Sequence, residues 1–189
     1  MNRVLVLSGT CGSGKSTVAQ VLVEKYGWTR LSEDEVWRNR FHQNRGAIGS
    51  EEHRRQRRQV RKEIVDHALR IVRVSSVAID ATVHEASPES IEEYEGLFAT
   101  AGIAWEIRVL HPRLDVAIQR DATRPGWRAG AAGVEELWRK FSGQLLAAHT
   151  FIDTSDDEPR ESAHRVLLSL GTSSELCHRE NLSGCRSRH

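Results

Sequence analysis

The sequence predicts an α/β domain, five parallel strands sandwiched between helices, and three observations lead to it. Short apolar runs alternate along the chain with amphipathic stretches of helical period, the pattern of a parallel sheet covered on both faces. The first apolar run leads straight into a glycine-rich turn and then a helix. The 189 residues suffice for one such domain and are too few for two ordinary ones.

Val4–Leu7 forms the first strand, closed by Ser8 and Gly9. A helix then starts at Lys15 or Ser16, with Val18, Leu22 and Val23 at helical spacing, and Gly27 ends it after Tyr26. Trp28–Leu31 is the second strand. Ser32 N-caps a helix over Glu33–Phe41, whose first turn is acidic as the helix dipole favours. Two glycines mark a loop over 44–50. Glu51–Val72 is a long helix with a basic front half and an apolar face of Val60, Ile64, Ala68, Leu69 and Ile71.

Ser76–Asp80 is the third strand, and Pro88 suits the first turn of a helix running to Ala101. Trp105–Leu110 is the fourth strand and Leu114–Asp121 the next helix. Ala122–Gly133, with a proline, three glycines and two arginines, reads as a mobile loop. Val134–Ala148 is helical, Thr150–Asp153 the last strand and Arg160–Leu170 the last helix. Residues 171–189 turn polar and are expected as a poorly ordered tail behind a domain of residues 1–170. Its Cys177, Cys185, His178 and His189 follow no zinc spacing and read as free thiols and surface histidines.

Lys and Arg number 27 against 26 Asp and Glu. That balance argues against a general nucleic-acid coat protein, and no apolar run approaches the roughly 20 residues that span a bilayer. The N-terminal apolar stretch is too short for a secretory signal, so the expectation is a cytoplasmic protein, monomer or homodimer. Three cysteines give no disulfide framework.

Residues 9–16 read Gly9, Thr10, Cys11, Gly12, Ser13, Gly14, Lys15, Ser16, followed by Thr17. The spacing G-x-x-x-x-G-K-[ST], after a strand and before a helix, is that of a phosphate-binding P-loop. Glycines let the backbone curl until its N–H groups face phosphate oxygens, and the helix adds the positive end of its dipole. Lys15 reaches the β- and γ-phosphates, and the Ser16 hydroxyl ligates magnesium. The expected ligands are therefore ATP and Mg2+. Cys11, at a helix N-terminus, is expected as a reactive thiolate that nucleotide covers.

Two segments speak to an acceptor. After the second strand come Glu33, Asp34, Glu35 and, one turn on, Arg38. A carboxylate here can take the proton of a hydroxyl that attacks the γ-phosphate, with Arg38 orienting the acceptor. The same acids also suit the first turn of an ordinary surface helix. Further on, Arg120, Arg124 and Arg128 cluster in and before the loop, as in a lid that closes on a transferring phosphoryl group; a solvated basic loop is the alternative. Asp80, at the end of an apolar strand, can hold magnesium or cap the next turn.

These residues resemble the small P-loop kinases of the nucleoside-monophosphate-kinase-like superfamily. Within it the likeness is to the ATP-binding subgroup of phage polynucleotide 5′-kinase, with zeta-toxin-like and chloramphenicol-phosphotransferase-like kinases as cousins. Gly9–Thr17, Asp34–Arg38, residues 77–82 and Arg120–Phe141 carry the resemblance, and residues 151–155 look like its last strand and nucleotide-side loop. It implies a P-loop fold with an arginine-bearing lid. It implies Lys15 and Ser16 on phosphate and metal, Asp34 as general base beside Arg38, Arg120 and Arg124 on ATP phosphates, and Asp80 as the acid at the third strand's end. A second phosphate-monoester-binding pattern, which marks a nucleoside monophosphate kinase, is missing.

Between Glu51 and Lys62 six basic residues face two acidic ones. This stretch is either a solvated stripe or a hold for an anionic acceptor, a nucleic-acid 5′ end included. Trp37 and Trp127 can stack on a ring or pack. Two function classes follow. One is a kinase for a hydroxyl on a small molecule or nucleic acid; the other is a nucleotide-binding regulatory or toxin-like protein acting through a partner.

Overall fold

The structure is a computed structural model that describes residues 2–41, 46, 49–81, 88–142 and 150–183, with the backbone alone for 88–90 and 172–183. In chain order its elements are β1 (Val4–Gly9), α1 (Lys15–Tyr26), β2 (Thr29–Ser32), α2 (Glu33–Phe41), α3 (Glu51–Ile71) and β3 (Val77–Asp80). There follow α4 (Pro88–Ala101), β4 (Trp105–Leu110), α5 (Leu114–Thr123), α6 (Gly130–Ser142), β5 (Phe151–Ile152) and α7 (Pro159–Ser183). The five strands pair in parallel, as expected, and their order is β2-β3-β1-β4-β5.

β1 lies at the centre and is buried along its whole length. Because side chains alternate along a strand, it serves two cores. Val4 and Val6 pack with Val60, Ile64 and Ala68 of α3 and Tyr94 and Phe98 of α4. Leu5 and Leu7 pack with Val18 and Leu22 of α1 and Ala163, Val166 and Leu170 of α7. A slip of one residue would exchange the two layers, so burial on both faces fixes the register and with it the place of the loop after β1. Among the described residues no helix is long and apolar enough to cross a membrane.

Local chemistry sets several helix ends. The Ser32 hydroxyl accepts the Glu35 N–H (3.3 Å) and the Ser50 hydroxyl accepts that of His53 (3.1 Å), so both serines cap helices. Gly27, at φ 69°, closes α1, its N–H bonding Val23 O and that of Trp28 bonding Leu22 O.

The structure corrects three expectations. Of the mobile loop expected over Ala122–Gly133, only 124–129 is non-helical. The Thr123 hydroxyl bonds back to the Gln119 carbonyl (3.1 Å), and the Asp121 carboxylate accepts the N–H of Gly130 (3.0 Å), which starts α6 four residues early. The last helix, expected to stop at Leu170, continues through Gly171 to Ser183. One glycine costs a helix only about 1 kcal/mol, and nothing else before Ser183 breaks it. β5 is shorter than expected because the Asp153 carboxylate turns to accept the Ser155 N–H (2.9 Å). Expectations for residues 143–148, for Thr82 and for Cys185 and His189 lie outside the described residues.

Two glycines with positive φ should respond differently to alanine. At Gly9 (φ 144°) a Cβ would sit 2.4 Å from the Leu110 carbonyl oxygen, whereas at Gly27 it would meet nothing within 4 Å. Gly27→Ala should cost about 1–2 kcal/mol of backbone strain. Gly9→Ala should cost about 3 kcal/mol or more, because β4 must move. Urea unfolding of both variants measures the difference; equal losses would contradict this packing.

Candidate active site

The loop from β1 to α1 curls through Gly12 (φ 75°) and Gly14 (φ 91°), which N-caps α1 without a side chain. The first N–H groups of α1 are thereby left to an anion. The two glycines serve different surfaces. A Cβ on Gly12 would lie 2.1 Å from the Ala117 carbonyl oxygen, so the loop's outer wall is pressed against α5. A Cβ on Gly14 would meet nothing within 4 Å. Lys15 is 8% exposed and its Nζ lies 3.4 Å from the Thr10 carbonyl, folded back over the loop, while Ser16 and Thr17 are exposed at the start of α1.

A cavity of about 560 Å³ opens over this loop, lined by residues 12–18, by Arg120, Thr123 and Arg124 of the α5 end, and by residues 157–159 and Ser162. Arg120 donates from Nη2 to the Thr154 carbonyl (2.8 Å), and the Thr154 hydroxyl donates to the Ser13 carbonyl (3.3 Å). This chain of contacts ties the α5 arginine, the loop after β5 and the phosphate loop into one wall. Arg124 pairs through Nε with Asp121 (3.1 Å). Lys15, Arg120 and Arg124, expected together from the sequence, do line one cleft.

Cys11 corrects its expectation. It is 3% exposed, packed against Ala117 and Val134. Burial pushes its thiol up, against the pull of Lys15 and Arg124. It is a small apolar contact between the phosphate loop and the α5–α6 pair, and its burial hides it from thiol reagents.

On the acceptor side the three neighbouring acids separate. Glu33 is fully buried. Tyr94 of α4 donates to its Oε1, and Arg57 and Arg61 of α3 stand 3.7 and 3.6 Å from its carboxylate. Arg61 also pairs with Glu93. Burial raises the Glu33 carboxyl, and Arg61, Arg57 and the Tyr94 hydroxyl pull it back. Asp34 is half exposed, 3.5 Å from Arg57, and its charge is felt by the Cys11 thiol of the phosphate loop. Glu35 points elsewhere, to Arg30 (3.0 Å). Arg38 is exposed, and its Nε donates to the Asp34 backbone carbonyl (3.1 Å).

The basic stretch of α3 divides as well. Arg54 and Arg58 pair with Glu51, and Arg55 with Glu52, all on the surface. Arg57 and Arg61 point inward, Arg57 also lying 4.9 Å from the Trp37 ring centre. The sequence reading missed this pair. The signal was their spacing, since positions 57 and 61 share a helical face with Val60, Ile64 and Ala68.

Asp80 is 4% exposed at the end of β3, beside Leu7 of β1 and Ser32 of β2, and its Oδ2 accepts from Arg30 Nη2 (2.7 Å). The exposed Ser16 hydroxyl and the Asp80 carboxylate are hard oxygen donors of the type magnesium prefers. Their chemistry suits that ion, with Asp80 Oδ1 the oxygen not engaged by Arg30, but of the two only Ser16 is among the residues that line the cleft.

A parallel sheet in this order, a glycine loop at the C-terminal end of its central strand and a cationic cleft above it define a P-loop nucleotide-binding protein. The chain belongs to the AAA domain family AAA_33, which matches residues 4–143. No curated protein sequence matches it. Solved structures do. The tunicamycin resistance protein of Deinococcus radiodurans superposes with TM-score 0.68 at 15% identity, over 90% of this chain and 96% of that one. A gluconokinase from Sinorhizobium meliloti 1021 gives 0.67 at 15%, over 94% and 97%. The Mycobacterium tuberculosis APS kinase in complex with AMPPNP and APS gives 0.64 at 19%, over 90% and 98%. The likeness is one of fold, that of the P-loop kinases.

Glu33 and Asp34 should part in a stability experiment. Glu33→Gln removes the charge that two buried guanidiniums face and should cost about 3–5 kcal/mol. Asp34→Asn, at a half-exposed position, should cost under about 1 kcal/mol. Chemical denaturation of the two variants decides; a stable Glu33→Gln protein would show that the buried cluster does not hold α2 to α3 and α4.

Proposed function

We propose that the chain is an ATP-dependent phosphotransferase that moves the γ-phosphoryl group of ATP to a hydroxyl of a small-molecule acceptor. The observation that carries this is the cleft in which the phosphate-loop backbone, Lys15, Arg120 and Arg124 converge, with a half-exposed Asp34 carboxylate following β2 at the same C-terminal end of the parallel sheet. A nucleotide switch or motor needs the first half of this arrangement; a kinase needs both.

In the proposed reaction the triphosphate lies on the N–H groups of residues 12–17, with Lys15 on the β- and γ-phosphates. Magnesium, when bound at Ser16 and Asp80, neutralises phosphate charge and aligns the γ-phosphoryl group. The acceptor hydroxyl approaches from the Asp34 side. Its oxygen bonds to the γ-phosphorus, its proton passes to the Asp34 carboxylate, and the bond from the γ-phosphorus to the β–γ bridging oxygen breaks to release ADP. Arg120 and Arg124, moving as a lid or pre-set, stabilise the charge on the transferring group. Arg38, exposed one turn beyond Asp34, orients the acceptor.

A small acceptor is favoured over a nucleic-acid 5′ end because the basic stretch of α3 is already paired, at the surface with Glu51 and Glu52 and inside with Glu33, Asp34 and Glu93. Little unbalanced charge is left to hold a phosphate backbone. The closer kinship to phage polynucleotide 5′-kinase and to zeta-toxin-like and chloramphenicol-phosphotransferase-like kinases belongs to this proposal on its ATP side, through residues 9–17 and 120–141. The same holds for a cytoplasmic site of action, where ATP is supplied, and for a kinase domain of residues 1–170.

The test is a screen of polyols, sugar acids, nucleosides and 5′-hydroxyl oligonucleotides with radiolabelled ATP and magnesium. Transfer to a small hydroxyl compound is expected. With that acceptor Lys15→Ala should abolish transfer, and Asp34→Asn should slow it about a hundredfold or more while ATP still binds. Turnover that ignores every acceptor and rises with a partner protein would refute the kinase reading, and transfer to oligonucleotides alone would refute the small acceptor.

A further inference from the structure

Asp121 is a buried acid for which the proposed reaction has no use. It sits in the last turn of α5, 1% exposed. Its Oδ2 accepts the N–H of Gly130, the first residue of α6 (3.0 Å), and its Oδ1 pairs with Arg124 Nε (3.1 Å). One carboxylate thus spans the whole non-helical connection 124–129 and grips an arginine that lines the nucleotide cleft. The guanidinium carbon of Arg124 lies 5.3 Å from the centre of the Trp127 ring, and Trp127 is 69% exposed. Asp121 lies one turn beyond Ala117, whose carbonyl abuts Gly12 of the phosphate loop, so the pair belongs to the helix that braces that loop.

Capping alone does not explain an acid here. A neutral asparagine would accept the Gly130 N–H equally well, and a buried carboxylate costs several kcal/mol unless a cation faces it. The charge is matched to Arg124. That arginine shares a cleft with Lys15 and Arg120, and in an empty cleft like-charge repulsion and side-chain entropy would drive it into solvent. Asp121 from behind and the Trp127 face from the side oppose both effects. They hold Arg124 on its Nε side by charge, as an ion pair in which Nε and the Asp121 Oδ1 form no hydrogen bond, and leave its two Nη groups for a ligand.

We propose that Asp121 is a positioning residue that pre-sets Arg124 for the γ-phosphoryl group, with Trp127 as the second wall of the holder. This rests on the reading above in which Arg124 meets the phosphates of ATP. The readout is therefore the preference for ATP over ADP, measured as the ratio of their Kd values in magnesium by titration calorimetry, which needs no acceptor.

Arg124→Gln should lower that preference about tenfold, the value of one charge-assisted contact. Asp121→Asn keeps the Gly130 cap and removes the charge; it should lower the preference about three- to tenfold with ADP affinity little changed. The double variant should be no worse than Arg124→Gln alone, since Asp121 acts only through Arg124. Trp127→Leu, at an exposed position where folding is not at stake, should lower the preference about threefold, and it keeps the test open should Asp121→Asn unfold. An unchanged preference in Asp121→Asn or Trp127→Leu beside a loss in Arg124→Gln would overturn the proposal. So would losses that add in full in the double variant, which would mark Asp121 as packing. An unchanged preference in Arg124→Gln would instead sink the assignment of Arg124 to the phosphates, and the holder with it.

Discussion

Between the end of β1 and the start of α1 the backbone has to reverse direction and turn its N–H groups inward within a few residues, and the rest of the site depends on that constraint. Positive φ angles at Gly9, Gly12 and Gly14 make the reversal possible. The same glycines bring neighbours into contact that any side chain would push away, the Leu110 carbonyl at Gly9 and the Ala117 carbonyl at Gly12. The phosphate loop is therefore braced from outside by β4 and α5, and the arginines of α5 are placed by the same contact. Cys11, Ala117 and Val134 form a small apolar cluster at that junction, which is why the thiol there is inert packing.

Around this frame the protein uses buried acids to aim buried or half-buried arginines. Glu33 receives Arg57, Arg61 and Tyr94 from two helices, and so fixes the start of α2, where Asp34 stands half exposed beside Arg57. Asp121 does the corresponding work for Arg124 on the nucleotide side, and Arg30 links Asp80 to Glu35 beneath. Glu33, Asp121 and Asp80 are buried enough for the loss of their partners to be costly, whereas Glu35 is exposed and its pair adds little. The two sides of the proposed reaction are thereby fixed at the C-terminal ends of the strands by ion pairs that orient the groups the reaction uses.

Much of this was legible in the sequence because it is local. The phosphate loop, the strands of β1, β3 and β4, and the helix ends at Ser32 and Gly27 all follow from spacing or turn chemistry within a few residues. What was not legible is tertiary. Nothing near position 121 announces that its carboxylate reaches Gly130 and shortens a loop. No local rule separates Glu33, which turns inward to α3 and α4, from Asp34, which does not. The thiol of Cys11 was expected to be activated by the helix dipole; the α5–α6 pair that buries it arrives more than a hundred residues later. The division of the basic stretch of α3 lay between these cases, since its helical phase was readable and its partners were not.

The central claim is that the β1–α1 loop holds a triphosphate whose γ-phosphorus faces Asp34. A crystal structure with magnesium and a non-hydrolysable ATP analogue tests it most directly. The account predicts triphosphate oxygens on the N–H groups of residues 12–17, with the γ-phosphorus about 5–6 Å from the Asp34 carboxylate, room for one acceptor oxygen between them. An analogue bound away from Lys15, or a γ-phosphorus facing away from Asp34, would contradict it.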